Sequence, residues 1–202
     1  MLDSTKRSLE KISKSLEATL EKREALIKGT RQIVILCSES IIDCHKNDFK
    51  EAAKKIQKAR KLLEQYRKKT NVDLYKYLLI PEQEFVEAAS LLSILQRGHI
   101  PTAESLRVKE ESYLLGMLDC IGELRRNVYD KIRLGHTDDA KKMFDVMEEM
   151  YLVLYPFAYF DKIVKDVRKK LDVARILVEE TRIAITEEIR RSELIKSMKS
   201  KK

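Results

Sequence analysis

The chain is 202 residues long, with 41 Lys/Arg against 33 Asp/Glu for a formal net charge of +8, and 44% hydrophobic and 37% charged residues. Only 5 Gly and 3 Pro punctuate it, which excludes an all-β sandwich with a turn about every ten residues and a doubly wound α/β fold with Gly-rich βα loops. The apolar fraction is too high for a disordered chain, no apolar run approaches the roughly 20 residues of a membrane span, and the charged segment over 1–14 predicts no signal peptide.

Apolar spacing is helical almost everywhere, which predicts an all-α, single-domain bundle of six or seven helices over residues 1–202. A long first helix is expected over 3–45, with its core strengthening after Gly29 through Ile33, Val34, Leu36, Ile41 and Ile42. Asn47 or Asp48 can cap a second helix that runs to Lys69, with Glu51 as capping-box partner. A third helical region, 73–97, contains Pro81 and should break or kink near Ile80. Gly98 ends it, and Thr102 caps a short helix. The next helix spans 110–134 and stops at Gly135. Thr137, Asp138 and Asp139 cap another over 140–154, before Pro156. The last helix, 159–197, carries Val164, Val167, Leu171, Ala174, Val178, Thr181 and Ile185 at alternating intervals of three and four, a seam that requires a partner helix. The tail over 196–202 reads as frayed.

The basic surplus is uneven. Residues 1–70 hold 18 Lys/Arg and 10 Asp/Glu, and residues 71–202 hold 23 of each, so the first third carries the whole excess. Within 46–69, Lys46, Lys50, Lys54, Lys58 and Lys61 fall on one stripe of a helix. Like charges so placed repel one another unless a polyanion compensates, which is the footprint of a phosphate-backbone binder. A solvated face is the other reading. A membrane surface is disfavoured because the opposite face lacks an apolar wedge.

Two acidic pairs stand out. On a helical wheel Glu82, Ser90, Ser93, Gln96 and Arg97 form the polar side of the third helix, while Glu84 and Glu87 fall inside its apolar arc beside Ala88, Leu91, Ile94 and Leu95. A carboxylate there costs several kcal/mol unless it is paired, protonated or bound to a cation. Either Lys or Arg from a neighbouring helix neutralises the pair, or it faces a wet channel or a subunit interface, or it forms a site for a hard cation such as Mg²⁺ or Mn²⁺. Asp119 and Glu123, spaced i,i+4, lie opposite their helix's apolar face and read alone as solvated. Gly116 and Gly122 in the same helix suggest a close neighbour. No Glu-x-x-His motif supports a diiron bundle, and no phosphate-binding loop is present. His45, His99 and His136 sit at predicted helix ends, away from any catalytic pattern. The three cysteines, odd in number and without CxxC spacing, read as free core thiols in a reducing cytoplasm.

The stretch Glu84-Phe85-Val86-Glu87-Ala88, followed by Tyr113-Leu114-Leu115-Gly116 and by Asp119 through Gly122-Glu123-Leu124-Arg125-Arg126, resembles the Translin/Trax family, and more particularly its Trax, or nuclease, branch. Looser matches are Lys58-Ala59-Arg60, Phe144 and Lys170-Leu171-Asp172-Val173. The chain lacks the long insertion of eukaryotic Trax near residues 98–102, which suggests a prokaryotic or archaeal relative. The resemblance implies a Translin-like bundle assembling into a closed homo-oligomer, typically an octamer, that encloses single-stranded RNA. It also implies a Mg²⁺-dependent endoribonuclease, with Mn²⁺ as a substitute, and maps the acidic positions onto Glu84, Glu87, Asp119 and Glu123. The reading is therefore a cytoplasmic ribonuclease acting on single-stranded or short structured RNA. Those four carboxylates would hold one or two ions and do the chemistry, and Lys54, Lys55, Lys58, Arg60, Lys61, Arg67 and Lys68 would hold the backbone. The alternatives are a non-catalytic Translin-type scaffold for single-stranded RNA or DNA, and a helical adaptor presenting its last helix to a partner.

Overall fold

A computed structural model describes residues 2–96 and 98–200 of the chain. Among them are seven α-helices and two 3₁₀ segments, and no strand: α1 (Asp3–His45), α2 (Phe49–Lys69), a 3₁₀ turn (Val72–Tyr77), α3 (Leu79–Leu95), α4 (Ala103–Leu106), α5 (Glu110–Arg133), α6 (Thr137–Leu154), a second 3₁₀ turn (Tyr155–Phe160) and α7 (Val167–Lys199). The expected all-α bundle is what forms.

α1 divides in two. Residues 2–22 are exposed throughout, and burial begins at Leu26 and continues through Ile33, Leu36, Cys37, Ile41 and Cys44. Gly29 marks the transition. A Cβ there would lie 1.8 Å from the Tyr66 hydroxyl, so the bare backbone lets the Tyr66 ring cross α1. Of the two cap candidates Asp48 serves, accepting from the Glu51 backbone N–H at 3.2 Å, but the expected capping box is not completed, because the Glu51 carboxylate pairs with Lys54 and the Asp48 N–H donates to the Asp43 carbonyl. α2 then lays Ala52, Ile56, Ala59 and Leu63 against α1 and α3.

Pro81 acts earlier than expected. The chain breaks at Leu78, and Pro81 sits in the first turn of α3, where its missing N–H costs nothing. The expected helix end at Arg97 lies outside the described residues. The Gly98 N–H turns back onto the Ser93 carbonyl at 2.8 Å, and Thr102 caps α4 through Ser105, as its position suggested. α3 is enclosed on nearly every side by α1, α2 and α5. Its supposed polar face is therefore not a face: Glu82 and Ser90 are completely buried. A wheel assumes one wet side, and a central helix has none.

α5 ends at Arg133, and Gly135 just beyond it takes a φ of +76°, a left-handed conformation that favours glycine. α6 starts three residues before its anticipated beginning. Thr137, Asp138 and Asp139 form its first turn, where the acids favour the helix dipole, and the Thr137 hydroxyl binds Ser192 at 3.0 Å instead of capping. α7 begins eight residues later than the seam alone suggested, because Pro156 and a left-handed Asp166 (φ 68°) keep the preceding chain in turns. Its seam residues are buried as predicted, with α5 and α6 of the same chain as their partners. That removes the seam as a free surface for another protein. The tail does not fray where expected, since helix continues to Lys199; Lys201 and Lys202 lie outside the described residues.

Candidate active site

Close packing of α3 on α5 assembles the site. A Cβ on Gly116 would stand 2.4 Å from the Gln83 carbonyl oxygen, so this glycine lets the two backbones touch. One turn further along α5, the Gln83 side-chain amide donates to Asp119 Oδ2 at 2.6 Å and ties the helices together beside the acids. The two acidic pairs therefore converge. Asp119 and Glu123 do not lie on a solvated face; each side chain is 24% exposed.

Electrostatics record the proximity. Burial, followed by the charges of Asp119, Glu84 and Glu123, pushes the Glu87 carboxyl up to about 8. Glu84 is raised by burial and by Asp119, with Lys170 opposing. Neither Glu84 nor Glu87 has a hydrogen-bond or ion-pair partner among the described residues. The other two acids do. Asp119 Oδ1 accepts from Lys170 Nζ of α7. Glu123 Oε2 stands 2.5 Å from His45 Nε2 and 3.9 Å from Arg126 Nη1.

His45 corrects the expectation that no histidine is at hand. It does end α1, but its side chain is only 5% exposed and turns inward to Glu123, with Nδ1 buried and without a hydrogen-bond partner. Nothing local in the sequence signals this contact, which spans 78 positions.

The donor chemistry fits a hard cation: four carboxylates, two of them unpaired and one, Glu87, pushed up to about 8 by burial and then by its negative neighbours. As the side chains stand, no three His, Cys, Asp or Glu groups among the described residues are gathered for a metal ion. The reason is visible, since Lys170 and Gln83 occupy both oxygens of Asp119 while His45 draws Glu123 aside.

Glu82 is the acid whose role the sequence concealed. It is completely buried, accepts from Arg67 Nε at 2.8 Å, from the Tyr75 hydroxyl at 2.7 Å and from the Lys109 backbone N–H at 3.0 Å, and pins α2, α3 and the start of α5. Arg67, expected among the RNA-holding cations, is half-buried and engaged with this carboxylate. Lys54 pairs with Glu51 at 2.5 Å, and Lys55 with Asp43 at 2.7 Å and Glu39 at 3.5 Å. Arg60 donates to the Ser105 carbonyl at 3.3 Å with its guanidinium over the Phe85 ring. Lys58, Lys61 and Lys68 are exposed and make no ion pair among the described residues. The basic set thus divides into bridging side chains and three free ammonium groups. Cys37, Cys44 and Cys120 are buried free thiols, as anticipated.

Two concavities flank this arrangement. A cleft of about 420 Å³ between α5 and α7 is lined by Asp119, Gly122, Lys169, Lys170 and Val173 and adjoins the acids. A larger apolar groove of about 810 Å³, walled by Tyr113, Met117, Met150, Phe157 and Phe160, contains none of the four.

Comparison with known proteins agrees with this architecture. A protein of Methanocaldococcus jannaschii described as uncharacterized is 35% identical over 164 residues, covering 79% of this chain and 72% of the relative. The crystal structure of AfC3PO superposes with a TM-score of 0.81 at 35% identity, covering 91% of this chain and 98% of that one. The AfC3PO–duplex RNA complex gives 0.79 at 33% identity, with 91% and 97% covered, and apo-NeC3PO gives 0.78 at 25%, with 89% and 96% covered. Residues 4–181 match the Translin family, and with the fold and the relatives in agreement, the chain belongs to that family.

Proposed function

We propose that this protein is a Mg²⁺-dependent endoribonuclease that hydrolyses single-stranded or short structured RNA within a homo-oligomer. The observation that carries the reading is the approach of Glu84, Glu87, Asp119 and Glu123 from two helices, near enough that burial and then the charges of the other three push Glu87 up to about 8. Evolution of a stable fold offers no reason to bury unpaired like charges together, whereas a divalent ion relieves them. One or two such ions, with Mn²⁺ as a substitute, would supply Lewis acidity and screen the acids from the incoming phosphate. The four carboxylates bind and orient, and the base is either one of them or a hydroxide that the metal would supply. Lys58, Lys61 and Lys68, on a different helix, attract the backbone without neutralising the acids. A related chain held with duplex RNA supports RNA as the ligand.

Self-association is supported by the apolar surface around the large groove, where Leu152, Val153, Tyr155, Tyr159 and Ile163 are 58–86% exposed; an octamer is the size that the family resemblance implies. No helix among the described residues is long and apolar enough to cross a membrane, and three free thiols suit a reducing compartment, the cytoplasm.

A second reading, the non-catalytic nucleic-acid scaffold, is favoured by the pairing of Asp119 with Lys170 and of Glu123 with His45, which gives two of the acids structural partners. Incubation of labelled RNA with Mg²⁺, and in parallel with EDTA, separates the two. Cleavage confined to the Mg²⁺ tube is expected. Intact RNA in both tubes, with retention on the protein, assigns the scaffold role instead.

A further inference from the structure

We propose that Lys170 is a resident counter-ion that competes with the metal for Asp119 and, once displaced, moves into the α5–α7 cleft to meet a backbone phosphate of the RNA. The inference deepens the nuclease reading and rests on it. Lys170 comes from the first turn of α7 and places its ammonium on Asp119 Oδ1. Its charge also opposes the upward shifts of Glu84 and Glu87, so it lies within electrostatic reach of three of the four acids. It is therefore a monovalent cation standing where the divalent one is needed, and its hold on Asp119 keeps the acids from closing into a cage.

Lys170 is also a wall of the cleft of about 420 Å³, together with Lys169 and Asp119. A lysine ammonium is a compact, strongly hydrated charge on a flexible four-carbon stem. Rotating that stem carries it from Asp119 to the cleft, where exposed Lys169 supplies a second positive charge. In the free protein this motion strips Asp119 of its cationic partner, leaving only the neutral Gln83 amide, and is unfavourable. With a divalent ion on Asp119 and a phosphate at the cleft, both charges gain a partner. Metal and RNA affinities are then coupled, and the coupling must be equal in both directions. Lys170 acts as a positioning residue before loading and as a phosphate ligand after it.

The test uses the full-length, metal-stripped protein in three forms: wild type, Lys170→Met and Lys170→Arg. Mn²⁺ binding is followed by electron paramagnetic resonance of the free ion, with Glu87→Gln as the control for the acidic site. Lys170→Met should bind Mn²⁺ at least about fivefold more tightly than wild type, and Lys170→Arg, which keeps the charge, should stay within about twofold. A purely structural partner of Asp119 would not improve metal binding when removed. Anisotropy of a short 2′-O-methyl RNA then measures how much Mn²⁺ strengthens RNA binding; the gain should be large for wild type and reduced severalfold for Lys170→Met. Equal or weaker Mn²⁺ binding by Lys170→Met, with wild type still binding above the Glu87→Gln control, overturns the competition and leaves the nuclease reading standing. Tighter Mn²⁺ binding with an unreduced RNA gain overturns the transfer to phosphate. Mn²⁺ binding by no form above the control removes the nuclease reading and this inference together.

Discussion

Glu87 holds its proton to about pH 8 in the folded chain, whereas an unfolded glutamate releases its proton near pH 4.3. Between those values the unfolded state binds fewer protons, so this group makes the folded state progressively less stable as pH rises. The metal-free protein should therefore lose on the order of a few kcal/mol between about pH 5.5 and about pH 8.5, measured by urea denaturation, with the loss reversed by Mg²⁺ binding to the folded state. Glu87→Gln removes the buried charge but not the shape. It should flatten this pH dependence, leave RNA retention unchanged, and lower cleavage by about 100-fold or more, equivalent to roughly 3 kcal/mol of transition-state stabilisation. Loss of retention as well would mean that Glu87 supports the fold. His45, Lys170 and Gln83 each reach this cluster from outside its two sequence motifs, and only their side-chain directions reveal them.

Two elements are held in register by side chains that do no chemistry. Arg67, Tyr75 and the Lys109 N–H all converge on the fully enclosed Glu82. Arg67→Met removes the cation from that buried carboxylate, leaving it only two neutral donors, and should cost about 3–5 kcal/mol in chemical denaturation, well beyond a lost surface cation. A wild-type unfolding midpoint with weakened RNA binding would instead give Arg67 the role its position in the basic run suggested. Between α3 and α5, Gly116→Ala pushes a methyl group against the Gln83 carbonyl and should destabilise by about 1–3 kcal/mol. Because the same contact spaces Asp119 from Glu84, the variant should also weaken Mn²⁺ binding in its folded fraction. At Gly122, by contrast, an added methyl group would meet no atom nearer than 4.0 Å, so Gly122→Ala should stabilise the helix by about 0.5–1 kcal/mol.

At the scale of the whole molecule, charge and apolar surface are segregated: free lysines on α2, acids between α3 and α5, and an apolar groove with exposed aromatic residues beyond α6. Retention of RNA should therefore fall steeply with salt and vary little with sequence, as counter-ion release requires. Native mass measurement should show a particle several times the monomer mass; a stable monomer would refute the proposed assembly. Helix positions, caps and the α7 seam were legible in the chain because spacing, Asp48, Thr102 and Gly135 act over one or two turns. Fully enclosed Glu82 and inward-facing His45 were not, because a wheel reports only which residues share a side, never whether that side meets water. The sequence by itself determined an all-helical bundle, the uneven placement of positive charge and two closely spaced acidic pairs, all consequences of local periodicity. Only the tertiary structure decided that the pairs come within electrostatic reach of each other, that Lys170 stands beside them and that Arg67 serves the core, since each depends on which helices lie side by side and how closely glycine lets them approach.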